Sequence, residues 1–593
     1  MELTRRRAIA ALGSTMLVPV VAGAAYGAKQ SAADKTFAKL AARWLDRSMK
    51  FSPVSATQVG DHRFDAMLDD VSAGGRNTGL AFAKQTLTAL EAIDRKQLSR
   101  ANQVDAALLA NALKSQIWTT ESVQDWAWNP LGYQGIAGGA IYTLMAREFA
   151  PIEKRLAAAT RRMELIPAFL KQTRGELVPS RVPVPHAATY SAQHKGLKSI
   201  IGEMVDPHKD KLSGPARTRL DAAIATYNAA CDEHQAWIDG TLVPAAQADY
   251  RAGVERFDTQ LAFTLQSTLS RSDIRTRAEA AMTKCRSEMY AVARKALAGR
   301  ADAPETPDNP SPEQQQKAIK AALELSASER PPRDKLVEVA TDAVEHARKF
   351  VQERDLITLP AGPVKVILMP EFQRGFSVAY CDSPGPLDKN LDTFYAVSPI
   401  PTEWTDEQTT SFLREYNTRG IIDLGVHEAM PGHYVQIFHS NSYPSVLRAI
   451  LSSGSFVEGW AVYAQEMMVA EGFEAGDPLY KLQQLKMLLR SISNAIIDQA
   501  IHVDGMTQAE MMKFLTEGAF QEEREAAGKW RRAQLSVTQL STYFVGYAEH
   551  VETRAAAEKR AGFKLKAYHD KVLSYGSPPM RYARALMFGE GIG

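Results

Sequence analysis

Cysteine is scarce in this sequence: 593 residues contain three, Cys231, Cys285 and Cys381, far apart and with no C-x-x-C pair. At most one disulfide can form, so stability cannot rest on a disulfide framework, and paired-thiol redox chemistry is excluded. Excess charge is equally absent. The 70 basic and 68 acidic side chains give a formal +2, which leaves no electrostatic footprint for nucleic acid. No G-x-S-x-G nucleophile elbow, Walker loop or dinucleotide-binding glycine pattern occurs, so the common serine-hydrolase, nucleotide and hydride-transfer signatures are missing. Cys381, beside Tyr380 and Asp382, reads as buried filler rather than a nucleophile.

What is present begins with a leader. Arg5, Arg6 and Arg7 precede an uncharged, mildly apolar stretch from Ala8 to Ala28, and Lys29 is the next charge. Paired arginines before an Ala/Gly-rich segment match a twin-arginine export signal over residues 1–28, with Ala22-Gly23-Ala24 or Ala25-Tyr26-Gly27 as cleavage site. Removing it leaves a mature charge of zero and a periplasmic or secreted protein with no membrane segment. An uncleaved membrane anchor is the competing reading, because about 20 apolar residues can span a bilayer. No cysteine follows the apolar stretch, so lipidation through cysteine is not supported.

Helical periodicity dominates the rest, starting with Phe37, Leu40, Trp44, Leu45 and Met49 on one face of a helix over about 33–49. Similar patterns continue to about residue 300, predicting a helical N-terminal lobe over 29–300. Residues 301–334 hold Pro304, Pro307, Pro310, Pro312, Pro331 and Pro332 around one short helical run, and read as a linker or a long surface loop. A second, catalytic lobe is expected over 335–593. Within it, 364–369, 376–380 and 393–397 are β-rich runs closed by Pro or Gly, predicting a small sheet before the next helix. The fold class is therefore mainly α, two-lobed around a cleft, with a small sheet beside the site helix.

That next helix, predicted from about Thr409 through Gln436, carries His427-Glu428-Ala429-Met430-Pro431-Gly432-His433. A His-Glu pair followed by a second His is the skeleton of a zinc hydrolase: imidazoles hold the metal and the intervening carboxylate takes a proton from water. The spacing differs from the usual four residues. Six residues at about 100° each turn the second ring roughly 240° away on a regular helix, so both rings can reach one ion only if the helix breaks. Pro431-Gly432 sits where that break is needed. A third ligand is required, and Glu458 lies 25 residues on, in a second helix that Ser455 can cap and Gly472 can end. Its other reading is an acid favoured by the helix dipole.

These residues, with Glu458-Gly459-Trp460-Ala461-x-Tyr463-Ala464-x-Glu466, resemble the bacterial DUF885 family, placed near the gluzincin metallopeptidases. Gly60-Asp61-His62-Arg63-Phe64-Asp65, the Asp498-x-x-x-His502 pair, Tyr543-x-x-Gly546, Arg554 and the block from Phe563 to Gly576 extend the likeness over most of the mature chain. The resemblance implies a zinc metallopeptidase in which His427, His433 and Glu458 hold Zn and Glu428 is the base. Tyr543, Tyr547 and His502 are the candidate oxyanion donors, with Tyr543 first. Two departures bear on substrate preference: Asn494 stands where an Arg is expected, and Tyr434 follows the second motif His. The partner expected is a peptide, which the β-rich 376–397 run could align along a strand edge.

The remaining polar residues receive plainer readings. His62 orders a turn or ion-pair network, and His439 ends a helix. Asp498 and His502 form either a structural pair or a layer orienting the ligands. His569, Asp570, Arg554 and Arg581 are weaker candidates for binding a substrate carboxylate. Two alternatives to a peptidase stay open: a catalytically degenerate periplasmic binding or scaffold protein, and a metal hydrolase acting on a non-peptide amide or ester.

Overall fold

The computed structural model describes residues 30–374 and 377–592; the leader lies outside them. The chain is mainly α, about 70% helical with one three-stranded sheet. Among the described residues no helix is long and apolar enough to cross a membrane.

The first helix, Ala32–Phe51, begins where Ser31 and Asp34 form a reciprocal cap and buries Phe37, Ala41, Trp44 and Met49. It packs with Arg100–Trp118 through Leu109 and Leu113 in a small core that also takes in Leu447 from the far half of the chain. A larger core gathers the helices Pro130–Met145, Ile152–Glu176, Val184–Lys195 and Gly214–Trp237, and Phe372 enters it from beyond the first strand. Gly138 makes room for that ring: a Cβ there would lie 2.4 Å from it.

The third core crosses the segment expected to separate the lobes. Phe257, Ile274, Met289 and Leu297 share one cluster with Leu482, Leu489, Ile496 and Val545. The 301–334 segment carries the helix Pro312–Ser328, whose Ala318, Ile319 and Ala322 are buried in the same cluster. Its helical run therefore sits inside a packed core, and only its flanks read as loop. At the centre lies Pro478–His502, with 21 of its 25 residues buried, including Lys486, Asn494 and Asp498. A helix buried on all sides is a core element, and polar groups on it must find partners or a cavity.

The sheet has the order β1 (Val364–Leu368), β3 (Thr393–Val397), β2 (Ala379–Asp382), with β1 parallel and β2 antiparallel to the central β3. Of the run expected to offer an edge to substrate, β3 is paired on both sides and β2 is the edge strand. Beside the sheet, Leu336–Glu353 packs on Thr418–Glu428, where Ala343 approaches the Cα of Gly425 closely enough that a Cβ would sit 3.5 Å away.

Candidate metal centre

The helix expected over Thr409–Gln436 is three helices: Asp406–Glu415, Thr418–Glu428 and His433–Asn441. Asn417 caps the second through a bond from Gly420 N. After Glu428 the chain turns sharply: Gly432 N donates to the Val426 carbonyl at 2.9 Å. A Cβ at Gly432 would lie 1.8 Å from the His427 carbonyl oxygen, so no other residue fits the bend. Trp460 Nε1, from the later helix Gly454–Ala470, donates to the Pro431 carbonyl at 2.9 Å and braces it. The six-residue spacing is thereby undone. The imidazoles of His427 and His433 lie edge to face, with ring centres 4.8 Å apart.

Glu458 comes from Gly454–Ala470. Ser453, not Ser455, caps this helix by accepting from Phe456 N, so Glu458 falls at the start of its second turn; the helix ends before Gly472, whose φ is +99°. Two glycines let the helix meet Ser541–Glu558 backbone to backbone: a Cβ on Gly459 would lie 2.3 Å from the carbonyl carbon of Gly546, and one on Gly546 1.8 Å from the Ser455 oxygen. That crossing carries Tyr543, one turn before Gly546, toward the histidines; its ring stacks on His427 with centres 6.4 Å apart.

Glu458 Oε2 is 3.7 Å from His427 Nε2 and 3.5 Å from His433 Nε2. One ligand atom from each residue lies within 4.8 Å of the others, a grouping suited to a metal ion. Three buried polar atoms here lack a hydrogen-bond partner: Glu458 Oε2, His433 Nδ1 and Glu428 Oε2. Burial raises the Glu458 pKa, but the imidazoles of His427 and His433 that face it outweigh burial and hold the carboxyl well below the usual range. The tautomer of His427 is set from behind. Its Nδ1 meets Gln465 Oε1 at 3.2 Å, and Gln465 in turn donates to Asp423 Oδ2 at 2.5 Å, so Nε2 is left for the centre. Burial pushes Asp423 up to about 7, against the opposing effects of His427, Gln465 and Tyr480. Gln465 and Asp423 were not singled out from sequence; the signal available was a polar residue one helical turn before His427 and another two turns after Glu458.

A cavity of about 1940 Å³ opens over the centre, lined by His427, Glu428, His433, Glu458, Gln465 and Tyr543, by the β2 edge, and by residues as distant in sequence as Gln58, Gln134 and Tyr142. Tyr543 Oη accepts from Arg532 at 2.8 Å and from Gln539 at 3.5 Å. Its own proton is given to no acceptor among the described residues.

The family described as "Bacterial protein of unknown function (DUF885)" matches the chain over residues 53–587. The chain belongs to DUF885. No curated protein matches it. A solved structure described as a "putative lipoprotein of unknown function" from Shewanella oneidensis is similar at 31% identity and a TM-score of 0.75, covering 93% of this chain and 99% of that one. A second, a "putative lipoprotein" from Colwellia psychrerythraea, shares the fold at 16% identity and a TM-score of 0.73, covering 93% and 98%.

Several residues on which the resemblance in sequence rested hold structure together. His502 was a candidate oxyanion donor, but its Nε2 is 2.8 Å from the Ala533 carbonyl and 2.9 Å from that of Ser536, and it does not line the cavity. A ring nitrogen held by two backbone carbonyls has no proton to offer substrate. Asp498 accepts from Ser541 N, Ser541 Oγ and Thr538 N, capping the helix that carries Tyr543. The pair thus fixes the ends of two cavity helices. Tyr547 is bonded to Glu466 and does not line the cavity. His569 joins Tyr463 to the Leu356 carbonyl, Asp570 accepts from Thr358, and Arg554 meets Glu558 and Glu471. His62 stands between Asp65 and Asp388, which together raise its pKa to about 9 against the effect of burial. His439, in the last turn of its helix, meets the Thr358 carbonyl. Of the two residues expected to bear on substrate preference, Tyr434 bonds the Gly362 carbonyl at 2.7 Å away from the site, whereas Asn494 lines the cavity with a buried, unpartnered Oδ1.

Proposed function

We propose that this chain is a zinc-dependent hydrolase cleaving peptide bonds, and that it works outside the cytoplasm. The observation that carries the reading is the convergence of His427 Nε2, His433 Nε2 and Glu458 Oε2 beside the unpartnered carboxylate of Glu428. Two imidazoles and one carboxylate form the donor set of hydrolytic zinc sites, which keep a further position open. When bound, zinc supplies Lewis-acid chemistry, polarising a carbonyl oxygen and lowering the pKa of water to about 7.

The chain's own groups do the rest. Glu428, buried at the end of its helix and facing the cavity, takes the proton from the attacking water and passes it to the departing amine. Tyr543 directs its free O–H toward the charge that develops on the carbonyl oxygen, because Arg532 and Gln539 occupy its lone pairs. Gln465 holds the His427 ring in the liganding tautomer.

Support for a peptide comes from the cavity. Its volume exceeds the roughly 300–1,000 Å³ of small-molecule sites, and the unpaired edge of β2 lines it, offering backbone groups to an extended chain. We read the residues facing one another across it as two lobes. Export rests on the arginine-led leader, and the similar solved structure from Shewanella oneidensis carries a lipoprotein description.

Metal analysis of the purified mature protein tests the reading. About one zinc per chain is expected, with loss of the metal at unchanged helicity in His433→Ala. Glu428→Gln should keep the metal and lose about 10²- to 10⁴-fold in peptide cleavage. Absence of zinc after loading, or full activity in Glu428→Gln, would overturn the assignment.

A further inference from the structure

A second pocket, of about 540 Å³, shares no lining residue with the cavity over the histidines, although the two are built on the same elements. Lys486 of the central helix lines the pocket and Arg490, one turn on, lines the cavity. Glu522 and Glu523 line the pocket; Arg524 and Glu525, next in the chain, line the cavity. The volume falls within the roughly 300–1,000 Å³ of small-molecule sites.

The polar groups of this pocket are incompletely used. Gln521 is 3% exposed and lines it, yet neither its Oε1 nor its Nε2 has a hydrogen-bond partner. A buried carboxamide open at both ends carries a cost that one ligand donor and one ligand acceptor would recover. The backbone leading to it is also costly: Phe520 has a φ of +56°, in the left-handed region that bulky residues rarely adopt. Lys486, likewise 3% exposed, gives one hydrogen bond, to Glu415 Oε2 at 2.7 Å, which leaves two of its three N–H donors. Around the rim Arg414 and Glu324 are closed on each other at 2.6 Å, whereas the exposed side chains of Lys320, Lys513 and Glu523 have no ion pair or hydrogen bond among the described residues. Leu323, Met512 and Phe520 add apolar surface.

We propose that this pocket binds a small zwitterion that carries an amide group: Gln521 and Lys486 meet the amide, Lys320 or Lys513 the carboxylate, and Glu523 the ammonium. A peptide unit or carboxamide offers one donor and one acceptor, the complement of the Gln521 side chain. A sugar hydroxyl could also answer Gln521, but it would leave rim charges of both signs unused. Two sources carry the zwitterion chemistry: a short peptide with both termini free, and an amino acid with a side-chain carboxamide. The proposal needs neither the zinc nor the hydrolase reading.

Equilibrium dialysis tests it, with the purified mature protein bearing Glu428→Gln so that no peptidase activity consumes a probe. The probes are L-glutamine, alanyl-alanine, norleucine, which lacks an amide, and N-acetylalaninamide, which lacks both charges. Glutamine or alanyl-alanine should be held about tenfold tighter than either control, and whichever of the two binds more tightly names the source. Adding Gln521→Met should weaken that probe about tenfold, the worth of the amide contact. Lys513→Glu, on the exposed rim, should weaken it about threefold, so a misfolded Gln521→Met variant leaves the test standing. Binding of neither glutamine nor alanyl-alanine, equal binding of a control, or binding indifferent to both substitutions overturns the assignment.

Discussion

Helix Gly454–Ala470 turns Glu458 and Gln465 toward the cavity and Trp460 and Tyr463 toward the interior, and histidines meet it on both sides. On the interior side His550 bonds the Phe456 carbonyl at 3.1 Å, and His569 spans Tyr463 Oη at 2.7 Å and the Leu356 carbonyl at 2.8 Å. Burial pushes both rings down to about 4, so they are neutral packing groups at neutral pH. On the cavity side His433 is also buried, yet its pKa is raised, because Glu458 and then Glu428 outweigh the desolvation. Burial alone therefore does not mark a ligand. What separates the two faces is that the interior rings have been given carbonyl and hydroxyl partners, while the cavity rings face carboxylates that have none of their own.

The largest effects should come from exchanging a tyrosine on each face. Tyr543→Phe removes the hydroxyl that the proposed mechanism aims at the reacting carbonyl and should lower peptide cleavage by about 10²- to 10³-fold, at a stability cost no larger than that of the interior exchange even though Arg532 and Gln539 lose an acceptor. Tyr463→Phe leaves His569 Nε2 without its partner in the interior and should cost about 1–3 kcal/mol of stability with turnover near its starting value. Unfolding curves and cleavage rates on both variants check the pair. If Tyr463→Phe proves the more damaging to turnover, the division between the two faces is wrong.

A smaller effect tests how far the cavity face extends. Gln465→Leu keeps the volume but frees His427 Nδ1 from its tautomer-setting contact and leaves Asp423 without its amide. Zinc affinity, read by competition with a chelator, should fall about 10- to 100-fold, the usual cost of losing the group behind a ligand. An unchanged affinity would mean that His427 is oriented by packing alone.

Some of this was legible in the residues and some was not. Helical class followed from periodicity, and the need for a break at Pro431-Gly432 followed from arithmetic on a six-residue gap. The break itself is tighter than a kink: it separates two helices, and Gly432 is required by the His427 carbonyl rather than by a positive φ. An Asp and a His four residues apart look alike whether they orient a ligand or cap a helix, so Asp498 and His502 stay open between the two in sequence; only the position of Ala533 and Ser536, set by tertiary packing, decides, and it takes His502 away from the oxyanion role. Residues 301–334 read as a boundary because proline marks loops, but the alanines of Pro312–Ser328 belong to a core shared with helices on both sides. Gln465 was passed over because a polar residue inside an apolar helix shows its purpose only when its neighbours in space are known.

Acid stability gives the finest test of the comparison. Five buried histidines have folded pKa values pulled below the unfolded 6.5 by burial: His186, His194, His550 and His569 to about 4, and His234 to about 3. Between pH 6.5 and about 4 the unfolded chain therefore binds more protons at these sites than the folded one, and stability falls as pH drops, by up to roughly 3 kcal/mol per ring. His433 has the opposite sign in the metal-free protein: its folded pKa is raised, so the stability it adds is full below 6.5 and is lost as pH rises through the folded value. Thermal unfolding of the metal-free protein from pH 7.5 to 5.5, where ordinary carboxylates of the unfolded chain stay almost fully ionised, should show melting temperatures falling toward acid. His569→Gln should flatten that slope, and His433→Gln should steepen it, because it removes a ring that resists the fall. Slopes changed in the same direction by both would show that the cavity histidine is, after all, held like the interior ones.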